Sequence, residues 1–161
     1  MADYAIAHKL PYCIADIGAD ILRFCIEQKR LPAKPREALT KEELQVLVDV
    51  GKEMRDEDEN FWLERIEKRI ENRPLLVIVP NIRYANEAAW VDERGFLIRV
   101  TALNMNGSPY ISPDRDPNHD SETELEFARA DYYITAYRDQ VDVLRGMAVA
   151  VLENILCRCR M

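Results

Sequence analysis

The chain has 161 residues, 48% of them hydrophobic and 32% charged, which is enough apolar material for one domain with a real core. Its net charge of −7 argues against a nucleic-acid groove or an anionic membrane surface as the main partner, but leaves room for a small phosphorylated ligand held by a few arginines. No apolar run approaches the roughly 20 residues of a membrane-spanning helix, and Met1 to Tyr12 lacks the sustained apolar core of a signal peptide.

Ala2 to Lys9 reads as the end of a helix, and Leu10 to Ile14 as a short strand with Pro11 at its start. Asp16 to Gln28 is predicted helical, with Ile17, Ala19 or Asp20, Ile21, Phe24 and Cys25 or Gln28 in step, and Ile17, Ile21 and Phe24 forming one apolar face. Leu31 to Pro35 is a proline-bearing break. Thr40-Lys41-Glu42-Glu43 is a capping box, and the helix it opens carries Leu44, Leu47, Val48 and Val50 to about Met54. Arg55 to Asn60 is polar and mainly acidic, the pattern of a solvated loop. Phe61 to Glu71 is a further helix, with Phe61, Trp62, Arg65, Ile66 and Ile70 in step.

The stretch Leu75 to Trp90 is the one around which the chain is organised. Leu75 to Val79 is an unbroken apolar run, suited to a strand buried on both faces. Pro80 and Asn81 stop it, and Ala85 to Arg94 has helix-forming composition. A buried strand running into a helix places Arg83 and Glu87 at the carboxyl edge of a parallel sheet, where open α/β sheets bind ligands. Arginine suits a phosphate there, since its planar fork holds two oxygens at once. A plain Arg83–Glu87 salt bridge at i,i+4 explains the same pair.

Gly95 is placed to close the helix in the left-handed conformation. Phe96 to Thr101 is the next strand, with Arg99 either at a partly exposed face or reaching a ligand. Leu103 to Asn118 is a long Asn/Gly/Ser/Pro/Asp-rich loop containing Arg115, of the kind that forms lids. A helix is expected from near Ser121, with Ser121 as cap and Glu124 three residues on. Ala130 to Thr135 is a short strand. Asp139 to Cys157 closes the chain, with Val141, Leu144, Ala148, Val151, Leu152 and Ile155 as its buried stripe. The alternation predicts an α/β domain over residues 1–161, a parallel sheet with helices on both faces. Cys13, Cys25, Cys157 and Cys159 have no CxxC spacing and read as reduced thiols of a cytoplasmic protein.

Several motifs agree with one family in order and spacing. They are Pro80-Asn81-Ile82-Arg83-Tyr84-Ala85-Asn86-Glu87, Gly95-Phe96-Leu97-Ile98-Arg99-Val100, His119-Asp120-Ser121-Glu122, Ala130-Asp131-Tyr132-Tyr133-Ile134 and the helix from Val141 to Leu144. In these the chain resembles the bacteriophage-type deoxynucleoside monophosphate kinases, a branch of the P-loop nucleotide kinases. Val50-Gly51-Lys52-Glu53-Met54-Arg55 followed by Phe61-Trp62 is similar to that family's second block. The resemblance runs from about Ala2 to Ile155.

The resemblance implies a P-loop nucleotide-kinase-like fold and phosphoryl transfer from ATP, with Mg²⁺, to a (deoxy)nucleoside monophosphate. It implies that Arg83 holds the acceptor phosphate, with Glu87 beside it in the substrate-binding set. Arg55 would be a second phosphate or base contact. Trp62 would stack on or border the base, although a plain core role fits it as well. Arg115 would be the catalytic lid arginine, and His119 a structural donor. One departure is Ile134-Thr135-Ala136, where the family has Ile-x-Asn.

A larger departure is that no Gly-x-x-x-x-Gly-Lys-Ser/Thr occurs among the 161 residues, and Gly18, Gly51, Gly95, Gly107 and Gly146 are scattered. Ala2 to Ala7 resembles the continuation of the family's first helix. The expected first strand and phosphate loop, on the order of 15–20 residues, are therefore missing. That strand is central in the family, so its loss would strip ladder partners from the strands near residues 75–79 and 96–100. Either the reading frame begins further upstream, or a degenerate remnant pairs those strands directly. No residue is assigned to hold ATP or a metal, and ATP and Mg²⁺ would bind these residues poorly. The rival function is a non-catalytic nucleotide- or partner-binding module on a kinase-like fold. A third is a relative such as a dephospho-coenzyme A kinase or adenylate kinase. The expected partner is a nucleoside monophosphate, with no nucleic acid and no membrane; homodimer formation is left open.

Overall fold

The computed structural model describes residues 1–71, 76–110, 125 and 129–159. Its elements run α1 (Ala2–Ala7), β1 (Tyr12–Ile14), α2 (Ile17–Glu27), α3 (Lys41–Glu57), α4 (Phe61–Ile70), β2 (Leu76–Ile78), α5 (Ala85–Asp92), β3 (Ile98–Leu103), β4 (Tyr132–Tyr137) and α6 (Val141–Arg158). The chain divides into two compact units, Pro11–Ile82 and Met1–Leu10 with Arg83–Met161. Each holds one pair of parallel strands, so the chain is of mixed α/β type.

In Pro11–Ile82, β1 pairs with β2, Cys13 opposite Val77. The sequence starts its helices with explicit caps. Asp16 accepts from the backbone N–H of Gly18 at 2.8 Å and of Ala19 at 3.3 Å, satisfying donors that the first turn of α2 leaves free. The predicted capping box opens α3: the Thr40 N–H donates to Glu43 Oε2 at 2.7 Å and the Glu43 N–H to Thr40 Oγ1 at 3.3 Å. Helices α2, α3 and α4 pack on one another around Cys25, Leu47, Val50, Met54, Trp62, Leu63 and Ile66. Trp62 is buried, with Phe24 and Phe61 set edge-on to it at 5.6 and 4.9 Å between ring centres. Gly51 lets α3 approach α2, because a Cβ there would stand 3.2 Å from Ile21 Cδ1.

In the other unit, β3 and β4 pair over six residues, from Ile98 opposite Tyr132 to Leu103 opposite Tyr137. Strand β4 alternates strictly, with Ile134 and Ala136 buried and Tyr133, Thr135 and Tyr137 exposed. Helix α6 packs on β4 through buried Leu152, and the Tyr132 hydroxyl donates to Asn154 Oδ1 at 2.7 Å. Beyond β3 the chain turns through Gly107, whose φ of +81° favours glycine. It returns so that Pro109 bridges Leu103 and the Tyr110 N–H donates to the Ala102 carbonyl at 2.7 Å.

The structure departs from the sequence expectations at several places. Strand β2 is half-buried along its length rather than buried on both faces. The stretch beginning at Arg55 is not a loop: α3 continues to Glu57, with Arg55 Nη1 donating to the Gly51 carbonyl one turn back at 3.0 Å. Val48 is 52% exposed, and Gly51 and Met54 complete the buried face in its place. Gly95 donates its N–H to the Val91 carbonyl at 2.8 Å without adopting positive φ; among non-glycine residues Lys9, Lys29 and Asn81 do. In α6 only Leu152 is fully buried. Leu144, Ala148, Val151 and Ile155 are half-buried, and Val141 is exposed.

The four cysteines are free, and burial pushes the Cys25 thiol up, which keeps it protonated and inert. Among the described residues no helix is long and apolar enough to cross a membrane.

Two ion pairs, one exposed and one half-buried, give the fold a pH dependence. The Arg30 guanidinium, at 2.5 Å, holds the Glu53 carboxyl below its usual range, and Lys34 with the Thr40 N–H does the same for Glu43. Their folded pKa values are depressed, so their stabilisation is complete above the usual glutamate value and lost as pH falls through the lowered one. The thermal midpoint should therefore drop on acidification below about pH 4.5, and less steeply in Glu53→Gln. High salt should shrink the difference between the two proteins.

Candidate functional site

The Pro80–Glu87 turn is built by its own carboxylate. Glu87 is only 2% exposed, and its Oε2 accepts from the backbone N–H of Arg83 at 2.9 Å and of Tyr84 at 3.3 Å. A carboxylate taking two backbone donors at the start of α5 is favoured by charge-assisted bonding and by the helix dipole. The sequence spacing suggests a side-chain salt bridge between Arg83 and Glu87; the structure shows Glu87 fixing the backbone that carries Arg83. Asn81, at φ +60°, makes the sharp step into this turn.

Arg55 and Trp62 meet at one atom. The Gly51 carbonyl accepts from Trp62 Nε1 at 3.1 Å and from Arg55 Nη1 at 3.0 Å. Trp62 is 1% exposed, so its face serves the packing of α2, α3 and α4. Of its two sequence roles, the core role is the one its surroundings account for. Arg99, in β3, donates to the Leu125 carbonyl. Arg115, His119 and the expected cap at Ser121 lie outside the described residues.

A second constellation escapes the sequence reading. A cavity of about 290 Å³ between α2 and α4 is lined by Asp20, Arg23, Arg65, Lys68 and Arg69. Asp20 has a side chain 3% exposed, and its Oδ1 accepts from both Arg23 and Arg69, the latter at 2.6 Å. Arg65 pairs with Glu27 at 3.3 Å and lies over the Phe24 ring at 5.3 Å. The available signal was positional: Asp20 stands three residues after Ile17 on the apolar side of α2, and Arg65, Lys68 and Arg69 share one side of α4.

Against known proteins, no family model matches the chain and no curated protein matches it.

Glu87→Ala would leave two backbone donors without their acceptor at a buried position. It should cost about 1–3 kcal/mol for each donor that water does not reach. Glu87→Gln, which keeps an acceptor oxygen, should recover much of that loss in denaturant unfolding. If Glu87→Ala leaves the unfolding midpoint in place, the turn does not depend on the carboxylate.

Proposed function

We propose that the chain is a cytoplasmic nucleoside monophosphate kinase-like protein. In this reading it is of the bacteriophage deoxynucleoside type, and its reaction class is phosphoryl transfer from ATP to a (deoxy)nucleoside monophosphate. The observation that carries the proposal is the Pro80–Glu87 turn, in which a buried glutamate holds the backbone of an arginine at the start of a helix following a parallel strand. Phosphoryl transfer needs little covalent help from the protein and much alignment and charge neutralisation. A guanidinium on a fixed backbone suits the acceptor phosphate, because less freedom is lost when the ligand binds.

The strand pairing supports the same reading. Among the described residues β2 ladders only with β1, and β3 only with β4 apart from the Pro109 bridge. Two parallel pairs are of mixed α/β type, the coarser class to which the family's fold belongs. On this reading Arg83 binds the acceptor phosphate. Glu87 positions Arg83, and Trp62 supports the helices beneath Arg55.

None of these 161 residues is assigned to hold ATP or Mg²⁺. The 161 residues contain no phosphate-cradling Gly-x-x-x-x-Gly-Lys-Ser/Thr. Among the described residues no group of three or more His, Cys, Asp or Glu could hold a metal. No step of the transfer is therefore assigned to these residues, and the second reading is a nucleotide- or partner-binding module on the same fold that does not turn over.

Calorimetric titration with a panel of deoxynucleoside and ribonucleoside monophosphates tests both readings. One monophosphate should bind, and Arg83→Ala should weaken it by about tenfold or more, the loss expected for a charge-assisted phosphate contact. ATP should show no turnover with the 161-residue chain. Binding unaffected by Arg83→Ala would remove the proposed site, and absence of binding across the panel would remove both readings.

A further inference from the structure

We propose that the cavity between α2 and α4 binds a phosphate group that retains a proton, either the free ion or the end of a small phosphomonoester. The site uses none of Arg55, Arg83 and Arg115, and it stands or falls separately from the kinase reading.

Its charge is the first argument. Four cations and one carboxylate line the cavity, in a chain whose net charge is −7. Two further carboxylates temper the cations from outside the wall: Glu27 pairs with Arg65, and Glu64 with Lys68 at 3.7 Å. Counting them still leaves four cations against three carboxylates. A concave surface with this local excess concentrates anions, and its 290 Å³ is close to the lower bound, about 300 Å³, of small-molecule sites.

The unmet hydrogen bonds are the second argument. An ion network built only to join two helices would use its polar atoms. Here Asp20 Oδ1 takes both guanidinium groups while Asp20 Oδ2 takes none. Among the described residues Asp20 Oδ2, Arg65 Nε and Arg69 Nη2 are buried without a hydrogen-bond partner. Native structures rarely leave such atoms unpaired. The lining residues thus hold two spare donors and one spare acceptor. Small rotations of the arginines bring the donors to an anion in the cavity, and guanidinium forks match tetrahedral oxyanions. The spare acceptor selects among anions. A carboxylate beside a ligand repels it unless a proton lies between them, so a P–OH group that donates to Asp20 is favoured over a fully ionised oxyanion.

Titration of the 161-residue chain at neutral pH and constant ionic strength, followed by calorimetry and thermal midpoint, decides the matter. Inorganic phosphate, which keeps a proton there, should bind. Sulfate, which has none, should bind at least about fivefold more weakly. In a parallel titration at pH 6, where about half of a phosphomonoester keeps its proton, glycerol phosphate binding as tightly as phosphate would identify the monoester as the ligand; phosphate binding alone would identify the free ion. Lys68→Glu changes a side chain that is 76% exposed, so it should leave the fold intact and weaken phosphate about tenfold or more. Arg69→Met combined with Asp20→Asn, which strands no buried carboxylate, should abolish binding while unfolding stays cooperative. The proposal is overturned by no response to about 10 mM phosphate, by sulfate binding equally well, or by Lys68→Glu binding phosphate as the native chain does.

Discussion

Burial of the Asp20 carboxylate is the constraint on which the Pro11–Ile82 unit turns. A charge taken out of water must be paired or it destabilises the fold by several kcal/mol. Arg23, on the same helix, is half in solvent and gives only part of the compensation. Arg69 supplies the rest from α4 at 2.6 Å, with a side chain 26% exposed. The pairing therefore fixes where the start of α2 lies against the end of α4. The aromatic cluster of Phe24, Phe61 and Trp62 sets the opposite ends of the same two helices. Between these points α3 is held by the Gly51 carbonyl, which receives the Trp62 indole. Polar and apolar contacts share the work: the apolar ones supply most of the stabilisation and the directional ones select a single arrangement.

What was legible in the sequence is what local chemistry decides. Thr40 and Glu43 announced α3 because a capping box satisfies backbone donors within four residues. The apolar alternation around Ile134 marked β4, although the strand begins at Tyr132 and extends to Tyr137. Arg55 was hidden because acidic neighbours imitate a solvated loop, while its own guanidinium folds back onto Gly51 and prolongs the helix. Asp20 was legible only in part. Its place in step with Ile17 was visible, but a partner 49 positions away, which with Arg23 makes its burial tolerable, was not. Trp62 could be assigned to core or ligand until its neighbours were known. The Arg83–Glu87 spacing identified the correct pair of residues but not the atoms, since the glutamate bonds to backbone rather than being explained by charge pairing alone.

The two proposed routes to anion recognition rest on different physics. At the Pro80–Glu87 turn a carboxylate is consumed in holding the main chain, and recognition would rest on the guanidinium it positions. Around Asp20 a carboxylate is embedded among cations and would itself take part in choosing the ligand. As proposed, the first arrangement would accept any phosphate of the right reach, and the second would distinguish oxyanions by whether they carry a hydrogen.

The fully buried residues are unequally distributed. Pro11–Ile82 encloses Trp62, Ile66, Leu47, Leu63 and Met54, whereas the described interior of the other unit is largely Ala5, Ala88, Ala130 and Ala136, with Ile134 and Leu152 as its only large aliphatic members. An alanine interior removes little hydrocarbon from water and contributes correspondingly little free energy. Deuterium should therefore enter the amides of β3, β4 and α6 well before those around Trp62, through excursions that leave the tryptophan cluster closed.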